Sequence, residues 1–145
     1  MPTANTFFLV IKANGKLLSL KEVFAIDETG NLLPPLSSRM SSFFPGWSSF
    51  RCLDKNNETH CATRLGDRDP WLEAEYSLKN GIGQVGLVNY GTKADKATIA
   101  IYDDVERQGL LWEGRFEGDK DAQTWDGVFR LPCYRMCINV FPFVR

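Results

Sequence analysis

The stretch Asp69-Pro70-Trp71-Leu72-Glu73-Ala74-Glu75-Tyr76 constrains this chain more than any other. A turn dipeptide opens it, and then Leu72, Ala74 and Tyr76 alternate with Glu73 and Glu75. Period-two alternation marks a half-buried antiparallel strand. The carboxylates of Glu73 and Glu75 are therefore expected on a solvated face, with the apolar set turned inward.

The same pattern recurs along the chain. Strands are expected at about 6–12, 20–27, 71–76, 84–90, 96–102, 110–117, 124–131 and 134–143. Turn-rich separators part them, among them Asn14-Gly15, Thr29-Gly30-Asn31, Lys79-Asn80-Gly81, Tyr90-Gly91-Thr92 and Gly118-Asp119-Lys120. About eight short strands without a helical period imply an all-β antiparallel sandwich or jelly roll. Residues 1–145 are expected to form a single domain of ordinary globular composition, 43% apolar and 12% aromatic. Trp112 and Phe116, and then Trp125, Gly127 and Phe129, each fall on one strand face and are assigned to the core.

The long exception is about 32–70, which carries little strand periodicity and is read as a long loop region. Loops of that length in compact domains are often functional. This one holds Phe43, Phe44, Trp47, Phe50, Arg39, Arg51, Arg64 and Arg68, together with the sole histidine, His60. An aromatic ring beside arginines suits a sugar, whose apolar face stacks and whose hydroxyls accept hydrogen bonds. The candidate ligand-binding set is accordingly Phe44, Trp47, Arg51, Arg64 and Arg68; the competing reading has the aromatics plug the open end of the sandwich.

Catalytic signatures are missing from the sequence. It contains no HExxH, no GxSxG elbow, no GxxxxGK[ST] phosphate loop and no GxGxxG after a strand. The expectation is a non-enzymatic protein. Four cysteines (Cys52, Cys61, Cys133 and Cys137) lack the paired CxxC spacing of a zinc knuckle. A zinc site drawing His60 in with the four cysteines, and a Cys52–Cys61 disulfide that staples the long loop, both stand open. On a straight strand, Cys133 and Cys137 would lie about 13 Å apart, which favours buried thiols. Hard oxygen donors cluster at Asp54, Asn56, Asn57 and Glu58, as calcium requires, while an Asx-rich turn without an ion is the alternative. Asn57-Glu58-Thr59 is also a glycosylation sequon by pattern.

Five pieces, in order, resemble the discoidin, or coagulation factor 5/8 type C, domains of the galactose-binding-like group. Leu18 to Asp27 looks like that family's opening strand, and Ser41-Ser42-Phe43-Phe44-Pro45-Gly46 is similar to its serine- and aromatic-bearing loop. Leu53-Asp54-Lys55-Asn56 stands where the family reads Asp-Gly-Asn, with Lys55 in place of the glycine. Asp69-Pro70-Trp71-Leu72-Glu73 matches the family's "DPWLE" strand, and Gly83 to Tyr90 its partner strand. The resemblance implies a sandwich that presents loops to a ligand, often with calcium at the Asp54 loop. The spaced histidine and Arg-x-Asp triplet of fucose-binding relatives have no counterpart, since Arg68-Asp69 lacks the intervening residue.

A net charge of −1 supplies no global pull toward nucleic acid or anionic lipid. The five-residue apolar run Phe7–Ile11 is too short for a signal-peptide core or a membrane span, so synthesis in the cytoplasm is expected. Two functions follow as expectations. The first is a structural building block contacting other protein subunits of a large assembly, such as a minor capsid protein of a large DNA virus carried into the virion. The second is a lectin-like module that binds glycans, with calcium as the accompanying ion.

Overall fold

The computed structural model describes residues 5–13, 17–56, 58–90, 96–116 and, as backbone, 126–130. The expected strand at 134–143, the pair Cys133 and Cys137, Trp125 and Asn57 lie outside the described residues. The architecture is an antiparallel β-sandwich of two sheets, as the alternation implies. Nine strands are described: β1 (Thr6–Lys12), β2 (Ser19–Ile26), β3 (Ser37–Met40), β4 (Cys61–Ala62), β5 (Trp71–Ser77), β6 (Gln84–Asn89), β7 (Thr98–Tyr102), β8 (Leu110–Arg115) and β9 (Asp126–Arg130). A five-stranded sheet runs β3-β5-β1-β7-β8 and a four-stranded sheet β4-β2-β6-β9. A single 3-10 turn, Ser49–Cys52, interrupts the β pattern. No helix among the described residues is long and apolar enough to cross a membrane.

Alternation decides which side chains meet between the sheets. Phe7, Leu9 and Ile11 of β1 join Leu72, Ala74 and Tyr76 of β5, and Ile99 and Ile101 of β7, in one buried layer. Leu20, Val23 and Ala25 of β2 with Val85 and Leu87 of β6 form the facing layer. Burying each of these larger side chains contributes roughly 1.5–3 kcal/mol. The Phe7 and Tyr76 rings, paired across β1 and β5, stack with centroids 5.5 Å apart. In β2 the register steps by two residues between Leu20 and Glu22 against β6. That bulge lets Leu20 and Val23, three apart, both face inward.

The turn after β2 follows from one buried carboxylate. Asp27 Oδ1 accepts hydrogen bonds from Thr29 N, Thr29 Oγ1 and Asn31 N at 2.7–2.9 Å. Burial by itself would raise the Asp27 pKa, but these donors outweigh it and hold the carboxyl below its usual range.

Two expectations are corrected by the fold. Residues 32–70 are not strand-free, because β3 pairs along β5 from Ser37↔Glu75 to Met40↔Leu72 and β4 pairs with β2. β3 is an edge strand of sequence Ser-Ser-Arg-Met with no fully buried residue, so no apolar period announces it. The second correction is Glu73, which is 3% exposed instead of solvated. Arg39 on β3 grips it through Nε and Nη2, each 3.0 Å from a carboxylate oxygen, and Arg107 Nη2 approaches at 3.3 Å. Burial of that charge is tolerated because two guanidinium groups meet it. Glu75, by contrast, lies part-exposed and takes a hydrogen bond from Ser37 Oγ. Trp112 is only partly buried against the core, whereas Phe116 is fully buried.

Candidate functional site

The segment between β3 and β5 gathers at one end of the sandwich and is pinned there by local chemistry. Trp47 N donates to Phe44 O at 2.9 Å, closing a turn with Pro45 and Gly46 at its centre. Gly46 has φ +84°, so the Pro-Gly pair supplies the backbone a type II turn needs. Phe44 and Trp47 thus stand at the two feet of one turn, their rings edge-on at 5.6 Å. Phe44 N donates to Ala62 O, and Ala62 N to Trp47 O, which ties the turn to β4.

Cys52 and Cys61 form a disulfide with Cα atoms 5.3 Å apart. This removes the zinc alternative for that pair and explains how a two-residue strand persists. The staple joins the 3-10 turn, which carries Phe50 and Arg51, to the segment carrying His60. The His60 ring lies 4.8 Å from Trp47 and stacks on Tyr90 at 4.2 Å with 12° between planes. The result is a ladder of four rings, Phe44–Trp47–His60–Tyr90. Burial, aided by the Arg51 and Lys21 charges, holds the His60 pKa below its ordinary value, so the stacked imidazole is neutral at pH 7.

A second loop leans on the first through Asp67. Its Oδ2 accepts hydroxyl hydrogen bonds from Ser41 and Ser42. Burial tends to raise the Asp67 pKa, but these hydroxyls and Asp69 N prevail and lower it. Arg64 N donates to Ser42 Oγ at 3.0 Å and Arg64 Nε to Phe43 O at 3.2 Å. Phe44, Pro45, Arg64 and Leu65 then wall an open apolar pocket of ≈ 290 Å³. Of its lining residues Leu65 is 76% exposed, and elsewhere on these loops Phe50 is 69% and Trp47 39% exposed. Among the described residues no carboxylate forms an ion pair with Arg51, Arg64 or Arg68.

The predicted site residues therefore separate. Phe44, Trp47 and Arg64 come together around the turn and pocket. Arg51 lies half-buried beside the His60 end of the ladder. Arg68 is exposed in the turn before β5, with no described contact to the rings. His60 and Leu65, both within the 32–70 segment, and Tyr90, outside it, belong to this surface but were not among the candidate binding residues. Their role depends on where three separate segments meet.

The calcium candidates mostly serve their own loop. Asp54 Oδ1 accepts from Asn56 N at 3.0 Å, Asp54 Oδ2 from Thr59 Oγ1 at 2.8 Å, and Asn56 Oδ1 from Glu58 N at 2.9 Å. These are successive Asx turns, the arrangement weighed against an ion. Among the described residues no three His, Cys, Asp or Glu side chains group as metal ligands. Lys55, standing where the resembled family has glycine, adopts φ +62° and so keeps a left-handed backbone. Its N–H donates to Glu22 Oε2 at 2.9 Å. Burial, and then the neighbouring Asp54 charge, push the Glu22 carboxyl up to about 7.

Next to the Ser41–Asp67 loop, on the outer face of the larger sheet, Trp71 carries two guanidinium groups. Arg39 Cζ lies 5.4 Å and Arg107 Cζ 4.6 Å from its ring centroid. The same arginines bind Glu73, so the loop between β7 and β8 is strapped down over β5. The sequence matches no protein-family model, and no characterised protein or solved structure is significantly similar to it. Fold and site together define an all-β sandwich with a disulfide-stapled, aromatic end.

Proposed function

We infer that this protein is a non-enzymatic interaction domain, a building block that engages other protein subunits through its stapled loop end. The observation that carries this reading is the exposure of Phe43, Trp47, Phe50 and Leu65 together on segments held in place by a disulfide and buried hydrogen bonds. Several exposed apolar side chains presented on fixed loops that also carry arginine suit a protein interface. A coat or minor capsid subunit is one form such a block takes. The discoidin-like order of motifs supports the same division of labour, a rigid sandwich presenting loops.

A carbohydrate ligand is the second reading, favoured by the half-open Trp47 ring 4.8 Å from His60, which has the Arg51 charge near it. Calcium belongs to this reading through the Asp54 loop.

Site-specific photo-crosslinking in the producing cell separates them. A photoreactive residue at position 65 is expected to trap a defined protein partner, while one at exposed Lys79 does not. Equal adducts at both positions, or none, would sink the protein-partner reading. A glycan array run with calcium and with chelator reads the alternative, in which Trp47→Ala should abolish any hit.

A further inference from the structure

We propose that the pocket walled by Phe44, Pro45, Arg64 and Leu65 receives the β7–β8 hairpin of a second copy of this chain. This rests on the interaction-domain reading and names one partner for it.

The argument begins with what the hairpin exposes. Its seven connecting residues read Asp103-Asp104-Val105-Glu106-Arg107-Gln108-Gly109, followed by Leu110. Val105 is 44% and Leu110 50% exposed, so two aliphatic side chains stand in water within six residues. Three carboxylates flank them, Asp103, Asp104 and Glu106. The lone cation, Arg107, is turned away onto Glu73 and Trp71. The exposed hairpin is thus an aliphatic knob with net negative charge.

The pocket has the opposite character. Its walls are apolar apart from Arg64, the one charged side chain lining it. Character and charge therefore complement each other: aliphatic knob to apolar hole, hairpin carboxylates to the Arg64 guanidinium.

Rigidity adds to the case. Asp103 N donates to Gly109 O at 2.9 Å, closing the neck of the hairpin. Asp104 Oδ1 accepts from Gln108 N and Gly109 N, both at 2.9 Å. Arg107 clamps the loop to β5. A loop held by its own bonds loses little conformational freedom on docking, which is the cost that defeats most flexible contacts. Knob and hole sit on different elements. The contact therefore repeats as a two-fold pair with both contacts exchanged, or as a head-to-tail chain.

The test is sedimentation velocity on the full, oxidised chain across a concentration series, with thermal melting as the folding control. Concentration-dependent association is expected, weakening as sodium chloride is raised from about 0.1 to about 0.5 M, which shortens the screening length about twofold. Arg64→Glu and Glu106→Arg are both surface changes. Each alone should weaken association about tenfold or more without lowering the melting temperature, and an equimolar mixture of the two variants should recover part of the loss. Val105→Asp should also abolish it. A monomer at every concentration overturns the proposal, as does association indifferent to all three substitutions. Either result leaves the interaction-domain reading standing if crosslinking at position 65 still traps a different protein.

Discussion

At the scale of single residues, the molecule's chemistry lies in carboxylates that are not where surface charges usually sit. Glu73 is met by two arginines and Asp27 by three donors from its own turn, whereas Glu22 accepts from Lys55 N and has no ion-pair partner among the described residues. Glu22 Oε1 is buried without a partner, and its carboxyl is raised from 4.5 to about 7. The native state then holds a proton that the unfolded chain releases. Its stabilising contribution is complete below about pH 4.5 and is lost as pH rises through about 7, up to about 3 kcal/mol at 1.36 kcal/mol per unit. Urea unfolding at pH 5 and pH 8 should reveal this loss, and Glu22→Gln should flatten it. An unchanged slope in the variant would assign the effect elsewhere. The Glu73 error in the sequence reading has a physical root. Alternation places a residue on a face, but only neighbouring strands and the strap that crosses it decide whether that face sees water.

At the scale of elements, the stapled loop stands out. β4 is two residues long and pairs with β2 at only two positions. Such a strand has too few ladder bonds to hold itself, and the Cys52–Cys61 bridge supplies the missing constraint. Closing a loop of this size stabilises by about 2–3 kcal/mol. The double variant Cys52→Ser/Cys61→Ser should therefore melt roughly 5–10 °C lower by calorimetry. It should also lose the Trp47–His60–Tyr90 stacking, visible as changed tryptophan fluorescence. A melting point unmoved by the variant would make the bridge incidental. Sequence spacing left this bridge open among alternatives, because nine residues of separation fix neither the direction of the Cβ atoms nor the bend between them. The turn at Phe44-Pro45-Gly46-Trp47 was more legible, since proline and glycine specify their own backbone angles.

At the scale of the whole molecule, the sandwich depends on pairings between distant parts of the chain. β1 pairs with β5 and with β7, across gaps of some sixty to ninety residues. Such non-local pairing slows folding, so the oxidised protein should refold in milliseconds to seconds by stopped-flow fluorescence. Microsecond refolding would contradict the topology. What the sequence determined alone was most of the strands: seven of the expected segments recur as strands with bounds within a few residues, while β3 and β4 were not among them. Apolar period and turn chemistry are local properties, carried by the residues themselves. Tertiary structure alone decided that β3 closes an edge of the larger sheet, that Arg107 crosses over to a buried Glu73, and that His60 and Tyr90 complete the ladder begun by Phe44 and Trp47. The contacts join residues 13 to 38 positions apart, and no local pattern encodes a contact whose partners meet only when distant strands come together.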